Sequence, residues 1–529
     1  MFIKRDDCSS VQDVVERNTG MTSNEFLHPD VSPHLHGLQE CVKCLRMHFS
    51  EPITIVGDYD ADGICASAIM YHGLLKAGKR ARTRLPHRFS EGYGLSEKII
   101  DEIDSGIVIT VDNGIAAHKA IKKAKEKGLT VIVTDHHLAV RESGKPILPE
   151  ADAILDPNAD DVTTYKLYCG AGLALRFVQE LTGIDDHPEL EVLAAIATVA
   201  DVMQLKGANW MLVKKGLNHI NAHHCLPGLE MLLQEINLQE EITEEDFGFK
   251  LGPIFNASGR LYDDGAERVL EVLKADHENT SLPAAVHALI EANDERKRQV
   301  KEYLPIAEKL AGEKRPIVIY HPQFGEGIIG ILAGNLCEKY HCPVIVFTKT
   351  STGALKGSGR SVGGIHLKEV LDRISERMIG YGGHEGAAGL SIPAGTLEQF
   401  REAFNAACGT LPEYHEDVLY DLSLSPKTLD EQLQMLEQFA PYGEGNPKPI
   451  FRIIFQATKS NYRRIGDGSH FMIKGSTISL MAFDLAKRYE EEGMPEFINC
   501  IGYPDMHVFN NKCYYRFIVK DYYTMNQAR

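Results

Sequence analysis

The sequence predicts an α/β protein: two α/β domains, the first built on a parallel sheet, joined by a long helix and followed by a small β-barrel of OB type. Three observations predict it. Apolar strands alternate with helical patterns from Ile53 to Val133, which requires a parallel sheet buried on both faces. A second strand, helix, strand series runs from Ile317 to Thr348. Short β-type runs then fill the chain after the turn-rich stretch APYGEGNPKP, Ala440 to Pro449. The expected domains are 1–225, 226–312 as helical connector, 313–415 and 416–529.

Bulk properties narrow the class. The chain has 529 residues, 43% hydrophobic and 25% charged, the composition of globular proteins with several cores. MFIKRDDCSS carries charge and no apolar h-region, so no secretory signal is expected. No apolar run approaches the ~18 residues that span a bilayer. Eleven scattered cysteines suit a reducing cytoplasm, and no membrane association is expected. A net charge of −18 argues against a generic nucleic-acid coat, although a basic groove beside an acidic metal site would not register in that total.

In chain order, the first ~45 residues read as helical, and Cys41 and Cys44 fit two cysteines on one helical face better than a zinc site lacking a second pair. ITIVGDYDADG, Ile53 to Gly63, is a buried strand running into Asp58, Asp60 and Asp62. Such alternating acids form either an acidic surface turn or a cation site. A helical pattern follows from Ile64 to Lys76, then the polar loop RLPHRFSEGYGL and a short helix near Leu95 to Ile103. The strand Ile107 to Val111 ends in Asp112. After an amphipathic helix, Ala116 to Lys127, the strand Leu129 to Val133 runs into Thr134, Asp135, His136 and His137. Ligands bind outside the carboxyl ends of parallel strands, and three strands here end in acid or histidine. That coincidence is the strongest argument the residues offer.

The apolar helix Glu189 to Ala200 ends at Asp201, which alone reads equally as a cap charge or a buried ligand. His223 and His224 fall in a polar loop. GPIFNASGRL, Gly252 to Leu261, is expected to be a small-residue loop bringing Arg260 and backbone amides to phosphate, or else a plain connection. Leu282 to Leu310 is a long connector helix in which Pro305 is expected to kink or break the run. Two glycine-rich segments, LKGSGRS (Leu355 to Ser361) and GYGGHEGAAGL (Gly380 to Leu390), let backbone approach a ligand while Arg360 and His384 supply charge. Neither is a Walker or dinucleotide motif. About five short strands with an intervening helix make the barrel. Its Lys459, Tyr462, Arg463, Arg464, Phe471 and Lys474 suit a single-strand groove, or a plain barrel surface.

With these pieces placed, the chain resembles the DHH phosphoesterase superfamily and, within it, the RecJ single-strand DNA exonucleases. The matching segments are DYDADG, VDNGI, TDHH, CGAGLA, VADVMQL, NASGRL, GSGRS, GGHEGAAG and PYGEGNP, which keep the family's order over nearly the whole chain. The resemblance implies that Asp60 and Asp62, with Asp58 close by, join Asp112, His136 and Asp201 in a two-metal cluster. It implies that Asp135 and His137 position the cluster and the phosphate. The second α/β unit looks like the DHH-associated domain, where Ser358, Arg360, Ser361, Gly383 and His384 would grip substrate phosphates, with Arg260 approaching from the first. Gly334–Asn335 departs from the Ser–Arg common in RecJ-like chains, so one phosphate contact is expected to be missing. No further C-terminal domain is expected after the barrel.

Carboxylates with one imidazole favour manganese, with magnesium the alternative. Asp112 is the expected bridging acid, and no attacking serine or cysteine stands in a recognised setting, so direct hydrolysis is expected. The resemblance implies digestion of single-stranded DNA, 5′ to 3′, to mononucleotides in DNA repair and recombination. It also implies a single-strand-binding protein and a helicase as partners; the enzyme itself is expected to be a monomer. The alternatives are a short-RNA nuclease or cyclic-dinucleotide phosphodiesterase of the same superfamily, and an inactive binding scaffold.

Overall fold

Five parallel strands carry the first acids: β1 (Ile53–Val56), β2 (Arg82–Arg84), β3 (Ile107–Val111), β4 (Thr130–Thr134) and β5 (Ala153–Leu155), in the order β2-β1-β3-β4-β5. Every residue of β1, β3 and β4 is buried, because helices cover both faces and leave no face for polar side chains. The computed structural model describes residues 2–524 apart from 143, 239–240, 351–352, 363, 412–417, 426, 459 and 510–511. Lys459, expected on the barrel, therefore lies outside the described residues. The chain divides into two units, His34–Asp201 with Asn218–Tyr414, and Met1–Pro33 with Val202–Leu217 and His415–Arg529.

In the first of these units, α1 (Ala61–Lys76) packs against α2 (Gly170–Thr182) and α3 (Pro188–Ala200). Gly73 makes the α1–α2 crossing close: a Cβ there would stand 2.1 Å from Val178 Cγ2. Next in sequence come α4 (Ala208–Asn221), which belongs to this unit only from Asn218, then α5 (Gly252–Leu261) and α6 (Leu282–Ala311). The expected loop over Gly252 to Leu261 is thus a helix, entered from the π-turn Phe247–Leu251 with Pro253 in its first turn. Its glycines serve packing rather than turning, since Gly252 lies against Ala200 and Gly259 against the Tyr59 carbonyl. Nor does Pro305 break α6, which runs on through it. Interior proline costs about 3 kcal/mol; Val300, Tyr303, Leu304, Ala307 and Ala311 offset this by packing on the core of the next sheet.

That second sheet has the order β9-β10-β8-β7-β6, from β6 (Ile317–Tyr320), β7 (Val344–Lys349), β8 (Leu355–Arg360), β9 (Gly380–Gly383) and β10 (Ala387–Ile392). Only the β6–β7 pairing is parallel. Helix α7 (Ile329–Tyr340) covers one face. The first glycine-rich segment forms β8 and the second forms β9 and β10 around a turn at 384–386, and Gly357 leaves room for the Phe347 ring on β7.

The other unit holds seven strands in the order β11-β12-β16-β17-β15-β14-β13, with mixed pairing. They are β11 (Leu422–Ser423), β12 (Phe451–Gln456), β13 (Tyr462–Ile465), β14 (His470–Ile473), β15 (Ser479–Ala482), β16 (Phe497–Phe509) and β17 (Lys512–Thr524), with helix Ala486–Glu491 before the last two. The final pair are strands of 13 residues each, longer than the short strands expected. Residues 1–33, which open on strand Phe2–Lys4 rather than helix, belong to this unit. Val11, Val14 and Val15 form an i, i+3, i+4 stripe that joins Trp210, Phe439, Phe451 and Phe471 in one core.

Candidate metal centre and phosphate face

The ends of β1, β3 and β4 bring Asp58, Asp60, Asp62, Asp112, Asp135, His136 and His137 together, and the end of α3 adds Asp201. Asp60 caps α1, its Oδ1 accepting from the Asp62 and Gly63 amides, both at 3.1 Å. Asp62 sits in the first turn, where its oxygens accept from Gly170 N–H (2.7 Å) and Ala171 N–H (2.8 Å) at the start of α2. Asp112 has a left-handed backbone, φ 61°, which swings its side chain across the strand ends. Tyr93 O–H donates to its carbonyl at 2.8 Å. Asp135 accepts from the Ile115 amide (2.9 Å) and the His136 amide (2.7 Å), and its Oδ1 lies 2.8 Å from His137 Nδ1.

His136 is the hub. Its Nε2 lies 3.1 Å from Asp112 Oδ1, 3.6 Å from Asp62 Oδ2 and 3.8 Å from Asp201 Oδ2. Asp112, His136 and His137 form one possible ligand group, and Asp62, His136 and Asp201 another. Asp58 is buried behind them, accepting from the Gly94 amide at 3.1 Å.

Electrostatics favours a cation here. Burial, reinforced by neighbouring acids, raises Asp58, Asp60 and Asp112 and pushes Asp201 up to about 8. Burial holds His136 below the usual histidine range. It would lower His137 too, but the Asp135 hydrogen bond outweighs it and brings His137 up to about 9. Among the described residues, no lysine or arginine lies within 4.0 Å of the Asp58, Asp60, Asp62, Asp112 or Asp201 carboxylates. Asp112 Oδ1 and Asp58 Oδ2 are buried without a hydrogen-bond donor, His136 being near Asp112 but outside bonding geometry. Converging acids, one neutral imidazole and an orphaned buried oxygen fit a hard or borderline divalent cation.

Beside this cluster is a set of half-buried guanidiniums. Burial and the charges of Arg88, Arg360 and Arg296 push Arg260 down to about 9. Arg260 and Arg296 line a cleft of about 150 Å³ with Asn256 and Ile331. Like charges gathered partly out of water are stabilised by an anion, as phosphate would provide. Arg360 Nη1 lies 3.2 Å from Ser358 Oγ, against Gly330 of α7. Ser361 Oγ donates to the Ile365 carbonyl at 2.8 Å. His384 is exposed and accepts from Gly386 N–H in its own turn; Gly383 has φ 143°. Asn335, at the Ser–Arg departure, donates to Ile331 O on its own helix at 2.8 Å. Sequence reasoning missed Arg88, Arg296 and Tyr93. Arg88 stacks on Tyr59 at 4.5 Å, and Tyr93 O–H lies 3.1 Å from His137 Nε2.

In the seven-stranded unit, Tyr462 and Arg464 share one face of β13, where Arg464 pairs with Glu490 and Tyr462 O–H donates to it at 2.7 Å. Arg463, next in alternation, points to the opposite side and is exposed. A groove of about 560 Å³ is lined by Arg452, Ile454, Gln456, Asn461 and Lys474 among others.

The parallel sheet with its acid-tipped strands defines a DHH-type protein: residues 52–202 match the DHH family, N-terminal domain, 314–410 the DHHA1 domain and 420–521 the RecJ OB domain. The single-stranded-DNA-specific exonuclease RecJ of Salmonella typhimurium is 35% identical over 79% of this chain and 78% of its own length. The RecJ of Thermus thermophilus is 32% identical over 89% and 70%. The crystal structure of Thermus thermophilus RecJ with Mn2+ superposes with a TM-score of 0.81 at 27% identity, over 97% of this chain and 75% of that one; the Mg2+ complex gives 0.75. The chain belongs to the RecJ family.

Proposed function

We propose that this protein is a metal-dependent exonuclease that hydrolyses the phosphodiester bonds of single-stranded DNA. The observation that carries the reading is the convergence of three strand ends and Asp201 around His136, with Asp112 Oδ1 buried and unsatisfied. It is supported by family membership, by relatives named single-stranded-DNA-specific exonucleases, and by RecJ structures containing Mn2+ or Mg2+.

Asp60, Asp62, Asp112, His136 and Asp201 would hold two divalent ions, manganese before magnesium, with Asp112 the acid expected to serve both. Asp58 supports them by fixing the turn at Gly94. When bound, such ions polarise the scissile phosphate and lower the pKa of the attacking water. The chain does the rest. The Gly170 and Ala171 amides fix the Asp62 carboxylate, so that it meets a cation without reorganising. The Asp135 carboxylate orients His137 through their hydrogen bond and favours the protonated ring, which would meet the charge that builds on the phosphate. Arg260, Arg360 and His384, with Ser358, Ser361 and Gly383 shaping the backbone around them, bind the phosphates of the strand. Arg463, Arg464 and Tyr462 would meet the strand further along; Arg463 is the freest of the three, since Glu490 already engages the other two.

The reading includes 5′-to-3′ polarity and release of mononucleotides, carried by the family resemblance. It also includes a monomer acting in the cytoplasm in repair and recombination, alongside a single-strand-binding protein and a helicase. Among the described residues, no helix is long and apolar enough to cross a membrane. Manganese-dependent digestion of a single strand labelled at either end tests the reading. Early release of 5′ label as mononucleotide supports it. Early release of 3′ label refutes the polarity, and preference for dinucleotides over long strands refutes the substrate.

A further inference from the structure

At the opposite end of α3 from Asp201, about 15 Å away at 1.5 Å per residue, a second group of metal-binding side chains gathers. His219, in the last turn of α4, places Nε2 3.2 Å from Glu191 Oε2 and 4.0 Å from Asp186 Oδ1. One donor atom from each of the three lies within 4.8 Å of the others. Glu191 is 1% exposed, and neither carboxylate oxygen accepts a hydrogen bond. Buried carboxylates ordinarily collect donors on both oxygens, and one left without them is costly. An ion pair with His219 answers for Oε2 and leaves Oε1 bare. Glu191's place in the first turn of α3 favours its negative charge but supplies no ligand.

The spacing suits an ion between the three groups. Donor atoms about 2.0–2.2 Å from one tetrahedral cation stand about 3.4 Å apart, and the two measured separations bracket that value. One imidazole nitrogen and two carboxylates form a zinc-type donor set with an open position facing solvent, where Asp186 is exposed.

We propose that Asp186, Glu191 and His219 bind a zinc-type divalent cation, separate from the catalytic cluster. The ion clamps the first turn of α3 to the last turn of α4 and so steadies the helix that ends at Asp201. The test uses the full chain, stripped with chelator and dialysed against Zn2+ alone. Wild type, His219→Gln and Asp186→Asn are compared, and all three again with Asp112→Ala added to reduce zinc at the catalytic cluster. Both positions are at least partly exposed, so the variants fold. One equivalent of zinc lost in each variant, on both backgrounds, supports the site. So does an anomalous peak within about 2.3 Å of His219 Nε2. Equal zinc content in wild type and both variants overturns the proposal, as does anomalous density confined to the catalytic cluster. Because zinc content is read rather than digestion, failure here leaves the exonuclease reading standing.

Discussion

Gly170→Ala changes one hydrogen into a methyl group at the first residue of α2, and the structure sets its effect. The new Cβ would stand 2.4 Å from Asp112 Cβ and 2.8 Å from Asp112 Cα and Cγ. Ordinary contact begins at 3.4 Å, so the two residues must separate by about 1 Å. Helix α2 cannot back away freely, because its first amides hold both Asp62 oxygens and Gly73 sits close under Val178. Asp112 cannot yield without disturbing its left-handed backbone. The displacement is therefore shared between two expected ligands. A misplacement of 1 Å at a reacting centre costs on the order of 10²-fold, or about 2.7 kcal/mol of transition-state stabilisation. The assay is kcat/KM for manganese-dependent digestion of a single strand, with the unfolding midpoint measured alongside. Gly334→Ala on α7, whose methyl meets nothing within 4 Å, is the control and keeps its activity. A folded Gly170→Ala protein with wild-type kcat/KM refutes the packing argument.

Other perturbations give equally definite expectations. Asp135→Asn removes the carboxylate that raises His137 to about 9, so the alkaline limb of the pH–rate profile moves toward neutral; an unmoved limb contradicts the role given to His137. The raised carboxylates act on stability with the opposite sign to ordinary paired acids. Their folded pKa values exceed the unfolded ones, so the folded state holds more protons, and metal-free protein loses stability as pH rises through the window that Asp201 extends to about 8. Manganese binds the deprotonated form, so its thermal stabilisation is larger at pH 8 than at pH 6; the reverse order, by calorimetry, contradicts the assignment. Phe471→Ala, removing a fully buried ring stacked on Tyr489 at 4.7 Å, costs about 3–5 kcal/mol of stability. The single tryptophan, Trp210, lies in that core, and its fluorescence during denaturant unfolding measures the loss.

The acid and histidine cluster was legible in sequence because a strand buried on both faces reads as an unbroken apolar run, and an acid at its end stands out. Asp58, Asp112 and the Asp135–His137 run are visible this way. Asp201 follows a helix, where a terminal acid has several ordinary explanations, and only resemblance to the family marked it. Arg88, Arg296 and Tyr93 carried no local signal: each is one residue in a polar stretch, and the neighbours that make it matter are distant in sequence. The segment Gly252–Leu261 misled because glycines that permit helix packing look the same as glycines that permit turns. The joining of 1–33 and 202–217 with the C-terminal strands was hidden for a similar reason. The partner of Trp210 Nε1 is the Phe439 carbonyl, 229 residues away.

The central claim is that Asp112 anchors the metal cluster that hydrolyses single-stranded DNA. Its most direct test is manganese-dependent digestion of an end-labelled single strand by wild type and by Asp112→Ala, across a manganese titration. If Asp112 serves both ions as proposed, losing its carboxylate removes several kcal/mol of charge stabilisation, a fall of about 10³-fold or more that added manganese does not restore. Equal rates for the two proteins at saturating manganese would contradict the account.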